Sequence, residues 1–346
     1  MENMFKRTLL GAAIATAAMA STGANAAIDL MDGKVQLYGQ AAGFMMYDNP
    51  KADGKEDTIT ANIESRIGFR GTVDFDNFSP NLVWQIEGGD AANSGGSADG
   101  NGGFGGRDTF VGFDFNGVGS FKYGRQLVAA YNYVDWPHSN PGLGNVFDWN
   151  NDISGGYEDR ANNVLRYDSA NFGGFNVQAT VSNMASTTKA IAYSVASSYS
   201  ADAFSVHAGY YAKSDYKDDT GAQVYGSDYT IFGGSLFLGN VTLTAAGKYM
   251  TADTVSGEDS QWAYSTTAQY VHNGKWVYKV GYAGTADADY ADGASGDNTS
   301  DMALTARLGY LLPSAYLYTD IRHYDMNGDD EAGDTTRLLM GVEYYF

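Results

Sequence analysis

The chain has 346 residues, with 41 acidic against 21 basic side chains, a net charge of −20 at pH 7 and no cysteine. Such a charge repels nucleic acid, and the lack of cysteine excludes a disulfide scaffold and a thiolate metal site. The 44 Gly, 26 Tyr and 17 Phe, against only 5 Pro, favour strands joined by turns.

The first segment has the features of a secretory signal. Lys6 and Arg7 precede a run of apolar and small residues, 8–19, and Ala24-Asn25-Ala26 follows as a signal-peptidase site. The run is too short for a helix that crosses a bilayer. We therefore expect residues 1–26 to be a signal peptide, cleaved after Ala26, and 27–346 to be one domain. A retained N-terminal anchor and the signal of a soluble secreted protein are the alternatives.

The rest of the chain alternates between apolar and polar residues. In 59–75 every odd position except Ser65 and Gly71 is apolar, and the polar positions include Arg66 and Arg70; the last twelve residues alternate in the same way. This period of two predicts strands with one lipid-facing and one water-facing side. Strands are predicted near 34–47, 58–76, 80–92, 105–116, 119–127, 161–170, 173–185, 188–200, 203–215, 224–238, 240–252, 259–272, 275–287, 300–312, 315–326 and 334–346.

The fold predicted by these runs is an all-β transmembrane antiparallel β-barrel of about 16 strands. Short Gly and Asn turns connect the strands at one end and longer polar loops at the other. The third of these loops, 128–160, is far longer than usual and rich in aromatic residues, which indicates a packed functional loop.

Four segments carry a family resemblance. They are KVQLYGQAAG at 34–43, SRIGFRG at 65–71, VGSFKYGR at 118–125 and the closing strand that ends on Phe346. Over the whole mature length the chain resembles the trimeric general porins of Gram-negative bacteria. The resemblance implies that the long third loop folds into the barrel lumen and narrows it, with arginines on the wall facing acidic residues on the loop. It also implies a homotrimer.

The predicted basic wall combines two arguments. The resemblance implies Arg66, Arg107 and Arg160, and alternation independently puts Arg66, Arg70 and Arg307 on the polar faces of their strands. A charge on the lipid face would cost about 2–4 kcal/mol at the membrane centre, which favours the lumen. For Arg107 simple alternation predicts the lipid face. Either a β-bulge shifts the alternation, or the match of Arg107 to the family's position is off by one residue.

The predicted acidic side of the constriction consists of Asp135, Asp148 and Asp152 in the third loop. The family's loop commonly carries Pro-Glu-Phe-Gly-Gly, whereas this chain has PGLG at 141–144, and Gln40 stands where an inner-wall lysine is common. Both departures indicate a constriction of different charge. Alternatively, the three aspartates belong to a solvated outer loop.

The third loop also holds Tyr131, Tyr133, Trp136, Phe147 and Trp149. Aromatic faces in a wet channel can stack on sugar rings, and Tyr131, Trp136 and Trp149 are the candidates for this role. The alternative is that these side chains anchor the loop to the wall.

Together these features predict an outer-membrane channel for passive diffusion of small hydrophilic solutes and ions, with weak cation preference. A sugar-selective porin is the alternative, and a barrel enzyme or adhesin a remote one. We expect no catalytic activity, cofactor, metal or nucleic acid. The expected partners are two further copies of the chain, lipopolysaccharide, outer-membrane lipid, and the barrel assembly machinery acting through Phe346.

Overall fold

The computed structural model describes residues 27–89, 91, 103–134, 138–184 and 187–346. Their strands form one antiparallel sheet that closes on itself, plus a two-stranded hairpin in one loop. The predicted signal peptide, 1–26, lies outside the described residues and stays a prediction. No helix among the described residues is long and apolar enough to cross a membrane.

The strands are numbered in chain order. They are β1 Ile28–Asp29, β2 Gln36–Pro50, β3 Thr58–Ile63, β4 Arg66–Phe75, β5 Phe78–Glu87, β6 Thr109–Phe115, β7 Gly119–Leu127, β8 Arg160–Ser169, β9 Phe175–Ser182, β10 Ala192–Ser200, β11 Phe204–Lys213, β12 Tyr216–Lys217, β13 Gln223–Val224, β14 Ser227–Leu238, β15 Val241–Asp253, β16 Glu258–His272, β17 Trp276–Thr285, β18 Met302–Leu312, β19 Ala315–Asp325 and β20 Thr335–Tyr345. Short helical turns lie at Tyr131–Tyr133, Asn145–Trp149, Thr188–Ala190 and Glu331–Gly333.

The barrel itself has 16 strands, as the sequence predicts. The segments β3 and β4 form one barrel strand, because both pair with β2 in the same register, Gly43 opposite Ile63 and Gly39 opposite Ile67. The short β1 only extends the sheet beside β2, and β12 pairs with β13 outside the barrel. Pairing of β2 with β20 closes the cylinder, so the barrel has no open edge.

The predicted alternation is confirmed in β20. Leu338, Met340, Val342 and Tyr344 are 44–66% exposed on the outer surface of the isolated chain, whereas Leu339 points inward and is buried. An apolar outer face flanked by a mixed inner face is the pattern of a barrel in lipid.

The two ends of the barrel differ in their connections. At one end the turns are short, and in the turn between β16 and β17 both Asn273 and Gly274 have positive φ, 50° and 64°. Asn-Gly suits this turn because these residues tolerate left-handed backbone at little cost. At the other end most connections are longer; they are 51–57, 88–108, 128–159, 183–191, 214–226, 254–257, 286–301 and 326–334.

Two strands begin four residues later than predicted. The backbone N–H groups of Gly105 and Arg107 donate to the Glu87 carbonyl at 3.1 and 3.2 Å, so the chain turns there and β6 begins at Thr109. A helical turn capped by the Thr187 side chain precedes β10, which begins at Ala192. In both places, hydrogen bonds of a local turn take the place of the first hydrogen bonds to the neighbouring strand.

The third long loop, 128–159, is called L3 here, and its described residues fill one side of the lumen. Val134, Leu143, Val146 and Phe147 are at most 1% exposed. They belong to one apolar cluster with inward side chains of the wall, among them Ile231. The main hydrophobic core of this barrel is therefore the contact between L3 and the wall.

Candidate pore constriction

L3 is tied to the wall where it leaves β7. The Val128 N–H donates to the Asp159 carbonyl at 3.0 Å, which closes the neck of the loop. The Ala129 N–H donates to the Thr180 hydroxyl of β9 at 3.2 Å, and the Ala130 N–H to the Ser194 hydroxyl of β10 at 2.8 Å. These bonds direct the chain into the lumen.

The helical turn Asn145–Trp149 lies against β14–β17. Lys248 of β15 donates to the Asp148 carbonyl at 2.9 Å, and its ammonium lies 5.7 Å from the ring centroids of both Phe147 and Tyr229. The Asp148 carboxylate accepts from the Tyr131 hydroxyl at 3.1 Å. A buried ammonium thus satisfies the end of the turn while aromatic rings surround it.

The middle of L3 is held by β18 and β19. Arg307 donates to both carboxylate oxygens of Asp320, at 2.6 and 2.8 Å, and also to the Asn140 side chain at 3.2 Å. The Tyr324 hydroxyl donates to the Gly142 carbonyl at 2.9 Å. A bidentate pair of this kind fixes the guanidinium plane and with it the position of the loop.

Asp152 lies against β16. Its N–H donates to the Gln261 side-chain oxygen at 2.9 Å, and the Gln261 amide donates back to its carboxylate at 3.0 Å. The Tyr290 hydroxyl donates to the Asp152 carbonyl at 3.2 Å. Burial raises the pKa of the Asp152 carboxyl above its usual range.

On the opposite side of the lumen, a cavity of about 330 Å³ lies between Asn132 of L3 and the wall. We call it the eyelet cavity. Its lining includes six cations and three carboxylates: Arg66, Arg70, Arg107, Lys122, Arg160, Arg166, Glu87, Asp108 and Asp168.

The carboxylates of the eyelet cavity are all paired. Arg107 contacts Glu87 at 2.7 Å and Arg160 contacts Asp108 at 2.6 Å. Asp168 is shared by Lys122 at 2.9 Å and Arg166 at 2.8 Å. With six cations against three carboxylates, the lining keeps an excess of three positive charges.

Four of the predicted basic residues, Arg66, Arg70, Arg107 and Arg160, lie together in this lining. Arg107 precedes β6, so strand alternation does not apply to it, and this explains how it reaches the lumen. Arg307 lies on β18, on a different part of the wall, where it holds L3. Arg125 of β7 donates to the Gly106 carbonyl and to the Asn162 side chain, which ties the turn before β6 to β8.

The predicted acidic residues are placed differently. Asp148 and Asp152 pack beside β15 and β16, as described above. Asp135 and Trp136 lie outside the described residues. The sequence reasoning missed the carboxylates that pair with the basic wall. They come from strands β5 and β8 and from the turn before β6.

Lys122 and Arg166 were also missed, although alternation could have found them. Their neighbours Tyr123 and Leu165 are 49% and 44% exposed on the outer face, so Lys122 and Arg166 point inward by period two.

The aromatic residues of L3 divide into two groups. Tyr133 and Phe147 are fully buried, and Tyr133 donates to the Asn176 side chain at 3.0 Å. Trp149 is 55% exposed, and its indole N–H donates to Asp159 at 3.1 Å.

A closed barrel with an apolar outer face, a polar lumen and an inserted loop defines an outer-membrane channel. The family model of the Gram-negative porin matches residues 11–330. The chain belongs to the Gram-negative porin family and is a channel protein of the outer membrane, not an enzyme.

Individual relatives agree with this assignment. A chitoporin of Vibrio furnissii is 30% identical, and the alignment covers 100% of both chains. Among solved structures, the anion-selective porin from Comamonas acidovorans has a TM-score of 0.72 at 22% identity, covering 90% of this chain and 99% of that one. Salmonella typhi OmpF in complex with daunomycin has a TM-score of 0.70 at 20% identity, covering 92% and 100%. At these identities the structural likeness concerns the fold.

Proposed function

We propose that the chain forms a pore for passive diffusion of small hydrophilic solutes and ions, with the eyelet cavity as its narrowest part. The observation that carries the proposal is the lining of that cavity, which is built of charged and amide side chains facing an open lumen. Hydrated solutes can pass such a lining without being trapped, because water screens its charges and its three carboxylates are already paired with cations.

Two opposing fields set the proposed ion preference. The chain as a whole carries −20, and many of its acids lie in the long loops at one mouth, whereas the eyelet cavity has three cations in excess. Fields from the mouth reach about 30 Å at 0.01 M salt and only about 3 Å at 1 M, whereas ions in the eyelet pass within contact distance of its charges. We therefore propose weak cation preference at low salt that diminishes or reverses at high salt.

Reversal potentials in planar bilayers test this proposal. A fixed salt ratio across the membrane is applied at mean concentrations from about 0.03 M to about 1 M. The expected result is a cation-favouring potential at the low end that falls toward zero or changes sign at the high end. Anion preference at low salt would overturn the proposed role of the acidic mouth.

A sugar-selective pore is the second candidate. It is supported by the similarity to the Vibrio furnissii chitoporin and by the half-exposed Trp149, whose ring is oriented by Asp159. An indole with a fixed plane and an exposed face can stack on a sugar ring at little entropic cost.

Current-block recordings separate the two candidates. A sugar-selective pore gives discrete blocking events with micromolar chito-oligosaccharides, and Trp149→Ala shortens them several-fold, since aromatic contacts add about 0.5–1.5 kcal/mol beyond burial. Trp262→Ala, on the outer face of β16, is the matched control and leaves the events unchanged. A general pore passes millimolar sugar without discrete events.

We further propose a homotrimer in lipopolysaccharide and outer-membrane lipid, delivered by the barrel assembly machinery through Phe346. Small residues Gly39, Ala41 and Gly43 alternate along β2, where they let neighbouring walls approach closely. The sedimentation mass, corrected for bound detergent, should equal three chains. A mass of one chain would reject the trimer.

A further inference from the structure

Two histidines meet where L3 contacts the wall. His138 belongs to L3 and His207 to β11, and their Nε2 atoms lie 3.2 Å apart with ring centroids at 4.9 Å. His138 is fully buried and His207 is 7% exposed. One imidazole donates to the other, an arrangement that holds only while at least one ring is neutral.

The pair is enclosed by L3 and the wall. Tyr133 stacks on His207 with ring centroids 5.2 Å apart, and Phe147 packs edge-on against His138 with ring centroids 6.4 Å apart. Ser265 of β16 donates to the His138 carbonyl. Inward-facing charged groups on the elements around the pair include Lys279 of β17, which acts directly on His138, and also Lys248 of β15, Arg307 of β18, Asp320 and Arg322 of β19, and Asp148 of L3.

Protonation opposes this packing. Burial lowers the pKa of His138 well below its ordinary value, and the neighbouring His207 and Lys279 lower it further. Packed L3 therefore binds fewer protons than released L3. Above about pH 6.5 the packed state keeps its full stability. Below that value, the ratio of packed to released L3 falls by up to tenfold per pH unit for each proton taken up on release.

We propose that the His138–His207 pair is a pH-sensitive latch, which holds L3 against the wall near neutral pH and releases the loop in acid. A released loop moves into the free part of the lumen, because the wall blocks movement the other way. The eyelet cavity lies in that free part. Acid should therefore narrow the pore and produce flickering closures. The latch rests on the proposed function only because channel conductance is used to detect the movement of L3.

Histidine variants of the full-length mature protein test the latch in planar bilayers. Open-channel conductance and closure frequency are recorded between about pH 8 and pH 5. The unmodified pore should close progressively below about pH 6.5, with up to a hundredfold change in the closed-to-open ratio per pH unit for two protons. His138→Phe and His207→Asn should each make the transition shallower, and the double variant should abolish it. His272→Gln and His323→Gln, away from L3, should leave it intact.

A reversible cross-link gives a test that does not depend on replacing either histidine. The chain has no cysteine, and a Cβ on Gly281 of β17 would lie 3.4 Å from Leu143 Cγ of L3. In Leu143→Cys/Gly281→Cys, the disulfide should remove the acid closures, and reduction should restore them.

The outcomes separate the latch from the pore. A protein that conducts at neutral pH and shows no transition down to about pH 5, or whose double histidine variant keeps the full transition, refutes the latch and leaves the pore standing. Closures that persist in the oxidised cross-linked protein also refute it. A protein that never conducts refutes the pore itself.

Discussion

Charge at the eyelet cavity is set by residues from β4, β5, β7 and β8 and from the turn before β6. Glu87, Asp108 and Asp168 each accept from a cation within 2.9 Å, so no carboxylate of the lining is left to offset the remaining positive charge. The cavity therefore opposes the negative mouth, and single substitutions can measure each contribution.

Replacing Arg66 by Gln should shift the permeability ratio toward cations by about two- to fivefold, because a unit charge about 4 Å from an ion is worth roughly 1 kcal/mol in water. Lys55→Gln, which removes the same charge from an exposed outer loop, should change the ratio much less at high salt. Reversal potentials of both variants make the comparison. Equal shifts would contradict a constriction at Arg66.

The buried pair of Arg307 and Asp320 should be costly to break. The Asp320 side chain is 0% exposed, and its loss leaves a guanidinium that is 5% exposed without this partner. Asp320→Leu should destabilise the barrel by about 3–5 kcal/mol, and Arg307→Met/Asp320→Leu should recover part of the loss. Heat-induced unfolding, followed by the gel shift of the folded barrel, measures both. A double variant no more stable than the single would contradict the pairing.

The basic residues of the eyelet were more predictable than their partners. Arg66 and Arg70 followed from alternation, and Lys122 and Arg166 follow the same rule. The pairing of Arg107 with Glu87 joins the turn before β6 to β5, and that turn depends on backbone bonds that no periodicity records.

L3 is the element on which the pore geometry depends. Its neck binds β9 and β10, its helical turn packs on β14–β17, and its middle is held by Arg307 and Tyr324. Because these contacts come from eight of the 16 barrel strands, L3 narrows the lumen as a packed wall and not as a hanging loop.

Two residues of the same helical turn test that description. Phe147→Ala should increase open-channel noise and shorten open times, because removing a fully buried aromatic ring costs about 3–5 kcal/mol. Trp149→Ala, at a position that is 55% exposed, is the matched control and should leave the noise near that of the unmodified pore. Similar noise in both variants would show that burial in this turn does not hold the loop.

The strands were predictable because period two persists through each of them, whereas the path of L3 was not. Its helical turn places Asp148 beside Lys248, a residue 100 positions away, so the turn is stabilised by contacts that the local sequence does not reveal. Length and aromatic content predicted a packed loop, which the structure confirms. They did not predict that Asp148 and Asp152 would pack beside β15 and β16, away from the arginines of the eyelet cavity.

The whole barrel is closed by the pairing of β2 with β20, and the backbone of the two strands meets closely at the end of the chain. Gly39 and Phe346 exchange backbone hydrogen bonds of 2.8 and 3.1 Å, and a Cβ on Gly39 would lie 2.5 Å from the Arg66 carbonyl oxygen and 2.7 Å from Phe346 Cζ. The last residue of the chain is thus seated on a glycine of β2.

Gly39→Ala should therefore weaken closure, by about 1–3 kcal/mol, since overpacking displaces a backbone contact. Gly103→Ala is the control, because a Cβ there meets nothing within 4 Å. The fraction of heat-resistant barrel after refolding in detergent measures the effect. An unchanged fraction for Gly39→Ala would contradict this close contact.

Water and small solutes are expected to pass through the barrel beside L3, and single-channel recording can show this passage. Purified protein added to a planar bilayer should produce large, stepwise increases in conductance without ATP, in groups of three if the pore is trimeric. Protein that inserts into the bilayer as a folded barrel and yet never conducts would contradict the account.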